Sequence, residues 1–156
     1  ASHVELSVQA AGLNFRDVLN MLDLDPTRAV RPLGLECASV ATSVDSSMTQ
    51  VHSGDSVYGM AMGCLASIVR TDAHTQVVMP RSLCFEEGCT LPILWCTIRL
   101  AAESMHVRAR QRILIHATTG GVGLVALELA RAWGVLVLDA SNDRACVNIT
   151  AEAKKL

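Results

Sequence analysis

The fold is decided by Arg112-Ile-Leu-Ile-His-Ala-Thr-Thr-Gly-Gly-Val-Gly-Leu124. Arg112 to Ala117 is a short apolar run of strand type. Thr118 to Gly123 is a glycine turn, and Leu124 to Ala132 reads as a helix with apolar residues on several faces. Gly134 suits the left-handed position just past a helix end, and Val135-Leu-Val-Leu-Asp139 is a second apolar run. Strand, glycine-rich turn, helix and strand in that order form the opening unit of a doubly wound α/β domain of the dinucleotide-binding kind.

The turn carries chemistry because a pyrophosphate binds free backbone N–H groups at a helix N-terminus, helped by the positive end of the helix dipole. Thr119, Gly120, Gly121, Val122 and Gly123 are therefore the candidate phosphate cradle. Gly120 lets the backbone approach the phosphates, and Gly123 lets the helix pack closely on the strand. Thr118 stands where the fingerprint has its first glycine, so the match is to a shorter form; glycines between a strand and a helix also serve as a plain packing turn. A carboxylate at Asp139 can accept both ribose hydroxyls of NAD and repel a 2′-phosphate, which favours NADH over NADPH. The alternative is a strand-end polar residue opening the turn to Asp143, and Arg144 stands close enough to partner a phosphate.

Upstream the pattern differs. Val4, Leu6 and Val8 alternate with Glu5, Ser7 and Gln9, the period of a half-buried strand ended by Gly12. Val18, Leu19 and Leu22 fall at helical spacing, with Asn14 or Asp17 as cap and Asp25-Pro26 as stop. Leu35–Val44, Ser56–Met62, Ser67–Arg70 and Gln76–Met79 read as strands, broken by the turn residues Asp45-Ser-Ser and Ser53-Gly-Asp55. This predicts a small, irregular antiparallel barrel. Near Pro80 helical spacing returns, over Glu86 to Leu91 and Leu94 to Met105, separated by Pro92.

Composition narrows the function classes. The 156 residues are 51% apolar and 18% charged, which excludes a disordered tail. Only 3% are aromatic and the net charge is −2, so neither a base-stacking platform nor a basic footprint for nucleic acid is present. The longest apolar runs fall short of the ~20 residues of a membrane span. Cysteines at 37, 64, 84, 89, 96 and 146 form no Cys-x-x-Cys, so zinc is not expected, and reduced, buried thiols are.

Five segments in order, Asn14-Phe-Arg-Asp-Val-Leu-Asn20, Pro32-Leu-Gly-Leu-Glu-Cys-Ala38, Val51-x-x-Gly-Asp-x-Val-x-Gly59, Phe85-Glu-Glu-x-x-Thr-Leu-Pro92 and Ile115-His-Ala-x-x-Gly-Gly-Val-Gly-Leu124, resemble the enoyl reductase domain of modular polyketide synthases. That domain belongs to the zinc-free branch of the medium-chain dehydrogenase/reductase superfamily. The resemblance implies a GroES-like irregular β-barrel over residues 1–92, its N-terminal end incomplete, then the first part of a Rossmann domain, doubly wound and parallel, over residues 93–156. It implies NADPH or NADH as cofactor and, as substrate, an α,β-unsaturated thioester on an acyl carrier protein. It also implies the other domains of a multidomain synthase as neighbours, and a cytoplasmic setting. By position in the family pattern, Asn14, Arg16 and Asp17 are catalytic-site residues and Thr97 lies near the nicotinamide. Each has a plainer reading: Asn14 as a helix cap, Arg16 and Asp17 as a surface pair, Thr97 as a satisfied helix hydroxyl. His116 reads as a hydrogen-bonded structural histidine.

The chain departs from the family in places. Ile98-Arg-Leu100 follows Thr97 and puts a charge beside the expected nicotinamide face, and the only tyrosine, Tyr58, lies in the β part, so proton donation falls to no particular residue. After Asp139 there is room for one short helix such as Thr150–Leu156, too little for the second half of a doubly wound sheet. The sequence thus reads as a fragment, a degenerate domain, or a piece that pairs with another chain or, as a homodimer, with another copy. A quinone oxidoreductase-like enzyme and a non-catalytic remnant within a synthase are the alternative functions.

Overall fold

The computed structural model describes residues 2–24, 31–46, 48–139 and 147–148. The chain divides into two compact units, Ala1–Ile93 and Leu94–Leu156.

In the first unit the alternation at the N-terminus becomes β1 (His3–Gly12), with Val4 and Leu6 buried in the core. After α1 (Phe15–Met21) come β2 (Glu36–Val44), β3 (Ser56–Met60), β4 (Ile68–Asp72) and β5 (Gln76–Val78). They form one antiparallel sheet in the order β4-β1-β2-β3-β5. Laid flat, five strands would hold their outer members about 19 Å apart, four spacings of ~4.8 Å. Only the 3₁₀ turn Ala73–Thr75 joins the two edge strands, a reach of at most ~14 Å, so the sheet must curl. One carbonyl fastens it: Met60 O accepts the Thr75 hydroxyl and the Gln76 amide, each at 2.8 Å. This curled sheet is the expected irregular barrel, and its core holds Val4, Leu6, Cys37, Val51, Val57 and Cys64.

Several boundaries differ from the sequence reading. The first helix ends at Met21, capped by Leu22, where Asp23 takes a left-handed φ of 54°; Asp25-Pro26, the expected stop, lies outside the described residues. After the short α2 (Phe85–Gly88), α3 (Pro92–Ser104) starts at Pro92 and not at Leu94. Proline is favoured in the first helical turn, where its missing N–H is not needed.

In the second unit β6 (Arg112–Ile115) and β7 (Leu136–Asp139) are parallel and in register from Arg112 with Leu136 to Ile115 with Asp139. They are joined through α4 (Gly121–Ala132). Val125, Ala126, Leu129 and Ala130 are the buried face of α4, and Val135 and Val137 are fully buried with them. The helix begins three residues before the expected Leu124, so Gly121, Val122 and Gly123 are its first turn. Beyond β7 the two-residue β8 (Val147–Asn148) pairs antiparallel with it, where a doubly wound unit would add a parallel strand. The expected helix Thr150–Leu156 lies outside the described residues. Among the described residues no helix is long and apolar enough to cross a membrane.

Gly34 takes a φ of +89°, and a Cβ there would come within 2.4 Å of the Leu65 nitrogen. Gly34→Ala is expected to destabilise the fold by roughly 2–4 kcal/mol, read as a lower urea midpoint at unchanged slope.

Candidate functional site

The N-terminus of α1 is tied down from three directions. Asp17 Oδ2 accepts the Asn14 N–H at 3.0 Å, and Oδ1 accepts the Gly34 N–H at 2.9 Å. Asn14 and Asp17 form a capping box at the start of the helix, and the Asn14 Nδ2 donates to Glu36 Oε1 at 2.9 Å. Glu36 Oε2 accepts the Ile93 N–H, at the first turn of α3, at 2.8 Å. Glu36 is 3% exposed, so a buried carboxylate has its charge met by one amide side chain and one helix N-terminus. β1 passes this carboxylate at Gly12, where a Cβ would meet the Cys89 carbonyl at 2.5 Å and Glu36 Oε1 at 2.8 Å.

This arrangement redistributes the roles expected at 14, 16 and 17. Asp17 is buried, and its two oxygens each hold a backbone N–H group, so it staples α1 to the segment entering β2. Asn14 is half-buried with its amide nitrogen fixed, and Arg16 is exposed. The cleft lined by Arg16, Asp17, Asn20, Arg31, Leu35 and Met62 is only about 10 Å³, room for one water at most. Glu36 is the residue that sequence reasoning missed. The signal was a single carboxylate inside the apolar run Leu33 to Ala38, since a charge there must be partnered.

In the second unit the glycine turn is built by backbone. Ala117 takes a left-handed φ of 56°, and its carbonyl accepts the Gly120 N–H at 3.2 Å. Gly120 is the helix N-cap and contributes no side chain; the first intrahelical bond runs from Leu124 N–H to Gly120 O at 2.9 Å. Among the described residues the N–H groups of Gly121, Val122 and Gly123 have no acceptor. The glycines divide the work. A Cβ on Gly123 would lie 2.4 Å from the Ala117 carbonyl and 2.5 Å from Thr118 Cα, so Gly123 lets the helix sit on its own turn, while one on Gly120 would meet only the Ala117 carbonyl, at 3.7 Å. The face in front of Gly120 is open to a ligand. Thr119 is exposed beside it and Thr118 is buried. Asp139 ends β7 beside Ile115, and its side chain lies outside what the structure describes.

Thr97 is exposed on α3, with no hydrogen-bond partner among the described residues. It lies one helical turn from Leu94, whose Cδ1 would be 3.1 Å from a Cβ on Gly121, so Leu94 joins α3 to the first turn of α4. Arg99, two residues on and across the helix, pairs with Glu103 and lies over the Trp133 ring at 5.4 Å. Its charge is thus held away from Thr97. His116 is exposed rather than structural. It borders an apolar groove of about 420 Å³ along β6, lined by Ile98, Met105, Leu114, Leu129 and Trp133 among others. Of the described cysteines, Cys37, Cys64 and Cys89 are buried, but Cys84 and Cys96 are exposed, against expectation. Among the described residues no group of three His, Cys, Asp or Glu side chains could hold a metal ion.

No protein-family model matches the chain. The pikromycin polyketide synthase component PikAII of Streptomyces venezuelae is 38% identical over 135 residues, covering 86% of this chain and 4% of that protein. The highly reducing polyketide synthase ZEA2 of Gibberella zeae is 37% identical, also over 135 residues, or 86% of this chain and 6% of that one. Among solved structures, the CurK enoyl reductase superposes with a TM-score of 0.82 at 30% identity, covering 98% of this chain and 48% of that chain. The chain is a relative of the polyketide synthase enoyl reductases. It spans about half the length of the solved reductase and a few per cent of the synthases. A quinone oxidoreductase from Escherichia coli, solved with NADPH, superposes with a TM-score of 0.74 at 26% identity, over 88% of this chain and 43% of its own. The fold class is therefore that of the medium-chain dehydrogenases/reductases, a GroES-like part followed by a Rossmann part.

In this enoyl reductase relative the buried carboxylate sets the stability of the first unit. Glu36→Ala leaves the Asn14 amide and the Ile93 N–H without acceptors and is expected to cost roughly 2–5 kcal/mol, measured by urea unfolding; an unchanged midpoint would contradict the assignment.

Proposed function

We propose that this chain is part of an enoyl reductase that uses NADPH or NADH to reduce the C=C bond of an α,β-unsaturated acyl thioester carried on an acyl carrier protein. The observation that carries the reading is the row of three N–H groups at Gly121, Val122 and Gly123, without acceptors among the described residues and opening onto the uncovered backbone of Gly120. A dinucleotide's pyrophosphate has the charge and oxygen spacing that such a helix terminus takes up. Relatives among polyketide synthases and a solved neighbour described as complexed with NADPH support it.

Bound there, a reduced nicotinamide would supply the hydride; the remaining work is that of the chain's own groups. Backbone N–H groups at 121–123 hold the pyrophosphate, and Thr119, exposed at the edge of the turn, is placed to add a hydroxyl. Asp139, at the end of β7, is assigned to the adenosine ribose. Thr97, with a free hydroxyl one turn from Leu94, is assigned to orienting the nicotinamide amide. In the first unit Asn14, whose amide nitrogen is held by Glu36, is assigned to a polar group of the substrate. Arg16 supplies the exposed cation. The residues 1–92 and 93–156 are assigned to substrate and nucleotide respectively, and the other domains of a synthase are the expected partners.

Gly121→Asp is a clean test. The new side chain needs only a small shift of Leu94, and an acidic residue in the first helical turn suits the dipole by about 0.3–1 kcal/mol. The expected outcome is an unchanged thermal midpoint with loss of NADPH and NADH binding in fluorescence titration. Retained affinity would remove the phosphate assignment. Oxidation of NADPH with a crotonyl thioester, and not with a free quinone, is the expected result in an absorbance assay; the opposite preference would favour a quinone reductase.

A further inference from the structure

The first unit keeps two cations without ion-pair partners on one cleft. Arg16 on α1 and Arg31, in the segment before β2, line it with Asp17, Asn20, Leu35 and Met62. Asn20 Nδ2 donates to the Arg31 carbonyl at 2.6 Å and ties that segment to the helix. Asp17 spends its oxygens on the Asn14 and Gly34 N–H groups. The ion pairs of the described residues join His52 to Asp55, Arg70 to Glu5, His74 to Asp72 and Arg99 to Glu103, and none reaches Arg16 or Arg31. Two guanidiniums beside one carboxylate leave the cleft with a net single positive charge, which attracts an anion of one charge. The volume of about 10 Å³ admits no phosphate, so the anion sits at the mouth. The other wall is apolar and fixed. Pro32 and Met62 are exposed there beside Leu35. Gly63 N–H donates to Gly34 O at 2.9 Å and Leu65 N–H to Leu33 O at 3.1 Å, so the Met62 loop is laced to the Pro32 segment. A ligand that suits both walls is an anion of one charge with a slender, uncharged chain attached.

We propose that Arg16 and Arg31 hold the phosphodiester of the pantetheine arm on which a carrier protein presents its acyl thioester, and that the uncharged arm leaves the cleft over Pro32 and Met62. The inference rests on the enoyl reductase reading and assigns the handle of that substrate to the first unit. A phosphodiester carries one negative charge at neutral pH and matches the cleft, whereas a phosphomonoester carries about −1.5 to −2. The guanidinium group presents a planar fork that meets two phosphate oxygens at once and stays charged throughout the range in which the protein is folded. Arg16 is exposed and Arg31 half-buried, so the mouth is open to the arm. Because Asn20 already fixes the Arg31 backbone, binding costs only side-chain freedom there. Met62, 51% exposed, gives the chain an apolar surface next to the charged one.

The test titrates the isotope-labelled full chain, without nucleotide, with three probes: S-crotonyl pantetheine carrying a methyl phosphodiester, the same thioester without phosphate, and dimethyl phosphate. The first is expected to bind about tenfold more tightly than either of the others and to move the Nε–H resonances of Arg16 and Arg31 together. Arg16→Gln and Arg31→Gln, checked for an unchanged thermal midpoint, should each bring the two thioesters to within about twofold of one another. Added salt should narrow the gap in the parent chain. Met62→Ser should weaken both thioesters alike and leave dimethyl phosphate unaffected. Equal binding of the two thioesters, dimethyl phosphate as tight as the phosphodiester thioester, or a gap that survives both arginine changes would overturn the proposal. NADPH added to the same sample separates this site from the reading beneath it. Movement of the Gly121, Val122 and Gly123 amides with NADPH, while the arginines ignore the thioester, would remove the arm site alone; silence at both would remove both. An equal loss of NADPH affinity in Arg16→Gln would give the arginines to the nucleotide instead.

Discussion

The first unit depends on one buried charge. Glu36 opens β2 with almost no exposure, and a carboxylate so placed is tolerable only if strong donors meet it. The Asn14 amide and the Ile93 N–H do so, and in doing so they fix the start of α1 and the first turn of α3 on the end of β1, where only a glycine, Gly12, leaves room. Asp17 repeats the device one turn along, with both oxygens on backbone N–H groups. The polar motif around Asn14 thus holds the backbone at the start of α1, with Asn14 tied both to Glu36 and into the capping box.

The glycine turn of the second unit divides its labour. Gly123 is required by close contact of α4 with its own preceding turn, Gly121 touches only the yielding end of the Leu94 side chain, and Gly120 is required by neither. The fold thus rests on Gly123, and the proposed binding on the turn in front of it. The start of α1 is closed by the capping box of Asn14 and Asp17, whereas Gly120 brings no side chain to the start of α4 and leaves its N–H groups open to an anion.

What was legible in the sequence follows from what is local. The alternation at Val4 and Leu6, the turn residues at Ser53-Gly54-Asp55 and the strand, glycine turn and helix around Gly120 each state their structure within about ten residues. What was not legible depends on partners far along the chain. The structural part of Asp17 depends on a bond to Gly34, seventeen residues on, and Glu36 acquires its meaning only when Ile93 arrives. The exposure of Thr97 and Cys96 is set by which face of α3 finds a neighbour, and that is tertiary. The start of α4 at Gly121 defied propensity, because glycine is a poor helix former and only packing against Leu94 and the Ala117 turn makes it a first turn. The antiparallel β8 had no signal beyond two residues.

The most direct test of the central claim reads the backbone amides themselves. In an isotope-labelled sample titrated with NADPH, the amide resonances of Gly121, Val122 and Gly123 should move together, and their hydrogen exchange should slow as phosphate oxygens take up the N–H groups. Binding that leaves these three amides unmoved while shifting others would contradict the account, as would the absence of any shift.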